Sequence, residues 1–158
     1  MGLLYIHHAR RDRLTFRFVT EVLWSQWKRG ALSVRRGDVL DFLAQCEPEH
    51  PEIRRWREAT RKKLAGNVLS ALRDFGLLHG VQRKILHRPP LDSAVVAHLV
   101  RLLHDEGLRS QAVLDAADWH LFLLDESDVS SALGDLAQRG IIRFERSGRT
   151  VILDPIVA

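Results

Sequence analysis

Residues 54–90 read RRWREATRKKLAGNVLSALRDFGLLHGVQRKILHRPP, and the apolar Leu64, Val68, Leu72 and Phe75 recur at spacings of four, four and three. That periodicity is one face of a helix. The opposite face carries Lys63, Asn67, Ser70 and Asp74, with Lys62, Gly66 and Arg73 beside it. Gly76 supplies the left-handed residue that ends a helix. Leu77 and Leu78 return to a core, and residues 81–87 read as extended before Pro89 and Pro90 forbid a continuing helix. A helix with a polar, amide-bearing outer face followed by a basic strand is how a winged helix meets a nucleic-acid groove. The same periodicity also describes a surface helix whose charged face is simply solvated.

Upstream, Asp12 or Thr15 opens a long helix that runs to Arg29, with Gly30 as its stop. Phe16, Val19, Leu23 and Trp27 form one apolar stripe, and Leu14, Phe18 and Val22 form a second. So little of this helix is polar that it reads as the central packing element. Trp24 and Trp27 on such a helix belong to a core rather than to base stacking. Residues 33–46 give a second helix, with Val39, Leu40, Phe42 and Leu43 inward and Arg35 and Arg36 at its start. Cations sit poorly against a helix N-terminal dipole. A phosphate partner accounts for them there, and so does solvent. Residues 47–51 are a loop, Ile53 and Trp56 anchor a short helix, and residues 7–13 (HHARRDR) form a basic lead-in read as an extended arm.

After Pro90, Asp92 or Ser93 caps a helix carrying Val95, Val96, Leu99, Leu102 and Leu103, with Gly107 past its end. Residues 110–124 hold short helices with Trp119, Leu121, Phe122 and Leu124 as core. Asp125 then caps a helix with Val129, Leu133 and Leu136 on one face and Gly140 as its stop. Residues 141–146 and 149–153 are β-rich and separated by Ser147-Gly148, a hairpin turn signal. This last stretch echoes the central one. Setting Gly140 on Gly76 puts Leu133 on Leu69, Leu136 on Leu72, and Ile141-Ile142 on Leu77-Leu78. The echo predicts two modules of one type.

Charge separates those modules. Residues 1–90 hold 18 Lys+Arg against 9 Asp+Glu, and residues 91–158 hold 6 against 11, so the net +4 of the chain conceals +9 followed by −5. Such asymmetry points to an anionic partner for the first half, nucleic acid being the common case, although a solubility device or an acidic protein partner would produce it too. In the second module Glu126, Asp128 and Asp135 point outward, where phosphates would be repelled, so only Arg143, Arg146 and Arg149 on the hairpin suit DNA. A protein-facing or structural role is expected there. The single cysteine, Cys46, forms no internal disulfide, and no apolar run reaches the roughly 18 residues of a membrane span. Residues 1–6 are too short for a signal-peptide core. These features lead to an expectation of a cytoplasmic protein. No HExxH, CxxC, GxSxG, P-loop or GxGxxG arrangement occurs. His98 and His104 do not share a helix face. Neither a catalytic constellation nor a metal or other cofactor is therefore expected.

WREATRKKL followed by VLSALRDFGLL resembles the signature segment of the BrxA family, small components of bacteriophage-exclusion (BREX) defence systems of bacteria. FVTEVLWSQWKRG, DVLDFLAQC and the downstream PPL with its helix fit that family's order of elements, over about residues 14–103. The resemblance implies a mostly helical, non-enzymatic protein with helix-turn-helix-like motifs and a positive surface that binds double-stranded DNA. It also implies other BREX subunits as partners. Family members sometimes labelled inner-membrane proteins are unlike this chain in hydropathy. Longer members carry a further N-terminal helical segment with its own basic motif, and the acidic module from Asp118 onward has no counterpart in the resemblance.

The expectation is thus a mainly α protein with two winged-helix or helix-turn-helix-like modules, residues 1–90 and 91–158, and short β-hairpin wings. It binds duplex DNA without chemistry and without a membrane. Arg61, Lys62, Lys63 and Arg73 are expected on phosphates, Asn67 and Ser70 on base edges or phosphates, Arg83, Lys84 and Arg88 on a flanking wing, and Arg35 and Arg36 on a phosphate at their helix start. The competing reading is an adaptor that docks larger defence subunits. Single-stranded RNA binding lacks the exposed aromatic pairs it would need.

Overall fold

The computed structural model describes residues 1–156. The chain is 61% helical with small antiparallel sheets, so the expected mainly α class with short hairpins holds. It divides into two compact units: Ala9–Pro89, and Met1–His8 together with the chain from Pro90 onward. Met1–His8 carries no Lys, Arg, Asp or Glu, so the charge division survives the change of boundary. The Ala9–Pro89 unit keeps 18 Lys+Arg against 9 Asp+Glu.

In the Ala9–Pro89 unit, Asp12 is the cap. Its Oδ1 accepts from the Leu14 amide at 3.1 Å and its Oδ2 from the Thr15 hydroxyl at 2.6 Å, which satisfies a threonine that is otherwise fully buried. Helix α2, Arg13–Arg17, passes through a π-helical turn, Phe18–Leu23, into α3, Trp24–Lys28. The long predicted helix is therefore present, with Phe18, Val19 and Leu23 as its buried apolar residues, whereas Phe16, Trp24 and Trp27, expected in the core, are only half-buried. Strand β1, Ser33–Val34, precedes α4, Arg36–Cys46. The sequence pattern put Ser33 inside that helix. Instead Ser33 and Val34 pair with Ile85 and Lys84, and Asp38 Oδ2 accepts from the Arg35 amide at 2.7 Å, fixing the helix start at Arg36.

A 3-10 turn, Pro51–Arg55, seats Ile53 in the core and leads to α5, Glu58–Asp74. Ala65, Val68, Leu69 and Leu72 are the buried face of α5, whereas Leu64 and Phe75 are only half-buried. The inward face is rotated slightly from the Leu64–Phe75 line because Ala65 and Leu69 supply the close contact. Helix α5 ends with Gly76 at φ 85°, its amide donating to Arg73 O at 3.0 Å, and the Leu77 amide donating to Leu72 O at 2.9 Å. Strands β2, Leu78–His79, and β3, Lys84–Leu86, complete an antiparallel sheet of order β1-β3-β2. The predicted extended run is therefore shorter, because residues 81–83 form a turn. Gly80 makes that turn at φ 99°; a Cβ there would sit 2.1 Å from Arg83 O.

The other unit begins with the first seven residues of helix α1, Gly2–Arg11, which replaces the expected extended arm over residues 7–11. Burial explains the difference. Tyr5 and Ile6 are fully buried, Tyr5 Oη donates to Leu121 O at 2.9 Å, and its ring meets Phe122 edge-on at 5.5 Å. Burial also pushes the Tyr5 phenol well above its usual pKa. Asp92 Oδ1 accepts from the Val95 amide at 2.9 Å and opens α6, Ser93–Asp105. Helix α7, Gln111–Leu114, and a 3-10 turn, Ala117–Phe122, come next, with Trp119 Nε1 donating to Val113 O at 2.7 Å. Asp125 and Asp128 cap α8, Glu126–Gln138, reciprocally at 2.9 and 3.1 Å.

The end of α8 repeats the end of α5. Gly140 donates to Ala137 O at 2.9 Å and Ile141 to Leu136 O at 3.0 Å, the same pair of closures. Past these closures the two copies diverge, for Leu77 is fully buried whereas Ile141 is 38% exposed. Strands β4, Ile142–Ser147, and β5, Thr150–Pro155, then pair from Ile142↔Pro155 to Ser147↔Thr150. The two turn residues are consequently Gly148 and Arg149, one position later than the sequence signal, with Gly148 at φ 58°.

Candidate nucleic-acid interface

An open cleft of about 650 Å³ is lined by residues at the start of α4, on α5 and on the β2–β3 hairpin. Ser33, Arg35 and Arg36 line it from the first of these segments, Gly66, Leu69 and Ser70 from α5, and Val81, Gln82, Arg83 and Lys84 from the hairpin. The sheet explains why these distant segments meet. Ser33 and Val34 pair with β3, so the residues before α4 are tied to the strand beyond the turn.

Of the residues expected from sequence, the cleft gathers Arg35, Arg36, Ser70, Arg83 and Lys84. Arg35, Arg36 and Arg83 are exposed. Lys84 Nζ folds back to donate to Val81 O at 3.0 Å, which braces the turn and keeps its charge at the rim. Lys63 and Asn67 do not line the cleft but are exposed on α5, in one line with Ser70 at i, i+4 and i+7.

Four expected residues are engaged elsewhere. Arg61 donates from Nη1 to Glu47 Oε1 at 2.9 Å and from Nη2 to Ile53 O at 2.8 Å. Lys62 Nζ lies 2.6 Å from Glu58 Oε1, one turn back on α5, and that hydrogen bond holds the Glu58 carboxyl below its usual pKa. Arg73 faces Asp74 at 3.7 Å. Arg88 lies beyond β3, with its guanidinium 5.5 Å from the centre of the Trp27 ring, so it is not part of the turn.

Ser33, Gly66, Val81 and Gln82 line the cleft although the sequence pattern did not mark them as site residues. Ser33 was hidden by its assignment to a helix. Gly66 did carry a signal: a glycine inside a helix costs about 1 kcal/mol relative to alanine. Nothing in the protein requires it, because a methyl group there would meet only the Arg36 guanidinium, at 3.9 Å.

The BrxA family model matches residues 2–102. The chain belongs to the BrxA family. That match takes in the whole Ala9–Pro89 unit and every residue lining the cleft, and it ends within α6. In this BrxA-family chain α7, α8 and the β4–β5 hairpin lie outside the matched region. Membership of the BrxA family suggests a component of BREX phage defence. No curated protein and no solved structure matches the chain. Among the described residues no helix is long and apolar enough to cross a membrane.

Proposed function

We propose that this BrxA-family chain is a non-enzymatic, double-stranded-DNA-binding component of a BREX-type system, acting through the Ala9–Pro89 unit as a winged-helix module. The order helix, short strand, helix, helix, hairpin, with the sheet ordered β1-β3-β2, supports the winged-helix reading. Helix α5 is then the recognition helix and the β2–β3 turn the wing. The observation that carries the proposal is the convergence of Arg35, Arg36, Arg83 and Lys84 on one cleft beside the uncharged polar line Asn67 and Ser70. Cations around a polar helix face suit a duplex, whose phosphates are neutralised at the edges while amides and hydroxyls reach the bases.

A salt series of fluorescence-anisotropy titrations with a generic labelled duplex tests this. Affinity should fall steeply with salt, by a log–log slope of about −0.9 for each phosphate contact. Absence of duplex binding at low salt contradicts the proposal.

The adaptor reading draws on the other unit, whose 6 Lys+Arg face 11 Asp+Glu. Arg146 there is held by Glu126 at 2.6 Å and Ser130 at 2.9 Å, and Arg143 by Glu145 at 2.9 Å. Two of the three arginines of that hairpin are thus neutralised within the unit. This unit suits a protein partner better than a phosphate backbone, and docking to a larger defence subunit is the role we assign to it.

A further inference from the structure

We infer that the wing of the Ala9–Pro89 unit enters a DNA minor groove, with Arg83 as the residue that favours a narrow, A·T-rich one. The inference rests on the DNA-binding reading and adds where the wing goes and what it selects. Three features of the turn lead to it.

First, the turn is built to present one cation. Gly80, at φ 99° and within 2.1 Å of Arg83 O for any added Cβ, closes the backbone tightly. Lys84 Nζ is drawn back onto Val81 O at 3.0 Å. Arg83 is left exposed, and among the described residues its side chain has neither an ion pair nor a hydrogen bond.

Second, Val81 beside it is 73% exposed, the most exposed large apolar side chain among the described residues. A wing that only touched phosphates would gain nothing from an apolar tip. The minor groove has walls of deoxyribose C–H groups and a floor of negative potential, so an apolar contact beside a guanidinium matches it.

Third, the cleft lined by the wing and α5 is open space that a duplex backbone could occupy. The two grooves of DNA are separated by a sugar-phosphate ridge, so a helix in the major groove and a wing in the adjacent minor groove must leave room for that ridge between them. Here the room is the open space of about 650 Å³, lined by Gly66 and Ser70 on α5, by Arg35 and Arg36, and by the wing itself. The missing side chain at Gly66 leaves that lining open, for a Cβ there would meet only the Arg36 guanidinium, at 3.9 Å. Narrow A-tract minor grooves concentrate negative potential, and arginine enters them more readily than lysine because its guanidinium is less tightly hydrated.

The test is an anisotropy titration of the full chain, wild type and variants, against two duplexes of equal length, one with a central A-tract and one entirely G·C. Wild type should prefer the A-tract duplex by on the order of tenfold. Saturating that duplex with a minor-groove-binding drug such as netropsin should remove the preference. Arg83→Ala should bind both duplexes equally. Arg83→Lys keeps the charge and the salt slope, yet should lose most of the preference. Circular dichroism confirms that each variant is folded. Equal wild-type affinity for the two duplexes overturns the inference while leaving duplex binding intact, and so does a full A-tract preference in Arg83→Ala. Failure to bind either duplex overturns the DNA reading itself.

Discussion

Arg61 and Glu47 form a part-buried pair, Nη1 to Oε1 at 2.9 Å, that binds α5 to the segment before it. The second guanidinium nitrogen reaches the Ile53 carbonyl at 2.8 Å, so the planar fork is used inside the unit. Two positions further along, Lys63 is exposed on α5. Cations of one basic run therefore do different work, and substitution should separate them.

Arg61→Ala should lower stability by ~1–2 kcal/mol, the scale of losing charge-assisted hydrogen bonds at a part-buried site. Its effect on the salt slope of DNA binding should be negligible. Denaturant unfolding and a salt titration of the same variant check both halves. A wild-type unfolding midpoint with a reduced salt slope would place Arg61 on the DNA instead.

Lys62 leads to the opposite kind of test. Its ammonium is paired with Glu58 across one helical turn at the surface, an arrangement that contributes little to stability. Glu58→Gln removes that partner and a carboxylate that repels phosphate. DNA binding should tighten, about twofold to fivefold at low salt, with the gain fading as salt screens the charge. Unchanged or weaker binding would mean that Lys62 and Glu58 lie away from the DNA.

Gly66→Ala should set stability against binding. Alanine fits the space, where only Arg36 approaches, and should stabilise α5 by about 0.5–1 kcal/mol. If a DNA backbone passes over this position, the added methyl group should weaken duplex binding although the protein melts higher. Thermal melts and anisotropy on one preparation decide it. A variant that is more stable and binds as well as wild type removes Gly66 from the interface.

The pattern of apolar residues made most of this fold legible, because caps and stops were spelled out locally. Asp12, Asp92 and Asp125 open helices, and Gly30, Gly76 and Gly140 come just past their ends, as the sequence indicated. The failures came where a partner far along the chain decides the conformation. Ser33 and Val34 have a helical neighbourhood, but Ile85 and Lys84 offer them a strand. Residues 7–13 read as an arm because of their charge, whereas residues 7–11 continue the helix in which Tyr5 and Ile6, just before them, are buried. The candidate site was half legible for the same reason. Composition marks which residues are cationic, but only packing distinguishes Arg61, committed to Glu47, from Arg36, open to the cleft.

The unit containing α6 has its own pH dependence. His7 and His98 place their Nε2 atoms 3.1 Å apart, so one ring must donate and the other accept, and two protonated rings would repel. Burial first, then His7 and Arg101, holds His98 below the usual imidazole pKa. The unfolded chain therefore binds more protons in mild acid, and the stability this site contributes is lost as pH falls through the ordinary imidazole range. Comparing melting temperatures at about pH 8 and about pH 5.5, on either side of that range, wild type should drop further than His98→Gln. Parallel drops in the two proteins would show that the pair is not linked to folding.

The cleft of the Ala9–Pro89 unit as the DNA-facing surface is tested most directly by removing equal charge inside and outside it. Arg35→Ala/Arg36→Ala removes two exposed cations that line it, while Arg13→Ala/Arg29→Ala removes two exposed cations that do not. Salt-dependent anisotropy titrations of both double variants against one duplex give the answer. The cleft variant should lose about 0.9 from the log–log salt slope for each phosphate contact removed, with affinity falling at every salt concentration. The outer variant should keep the wild-type slope. Equal slopes for the cleft variant and wild type, or equal losses in the two double variants, would contradict a DNA-binding cleft.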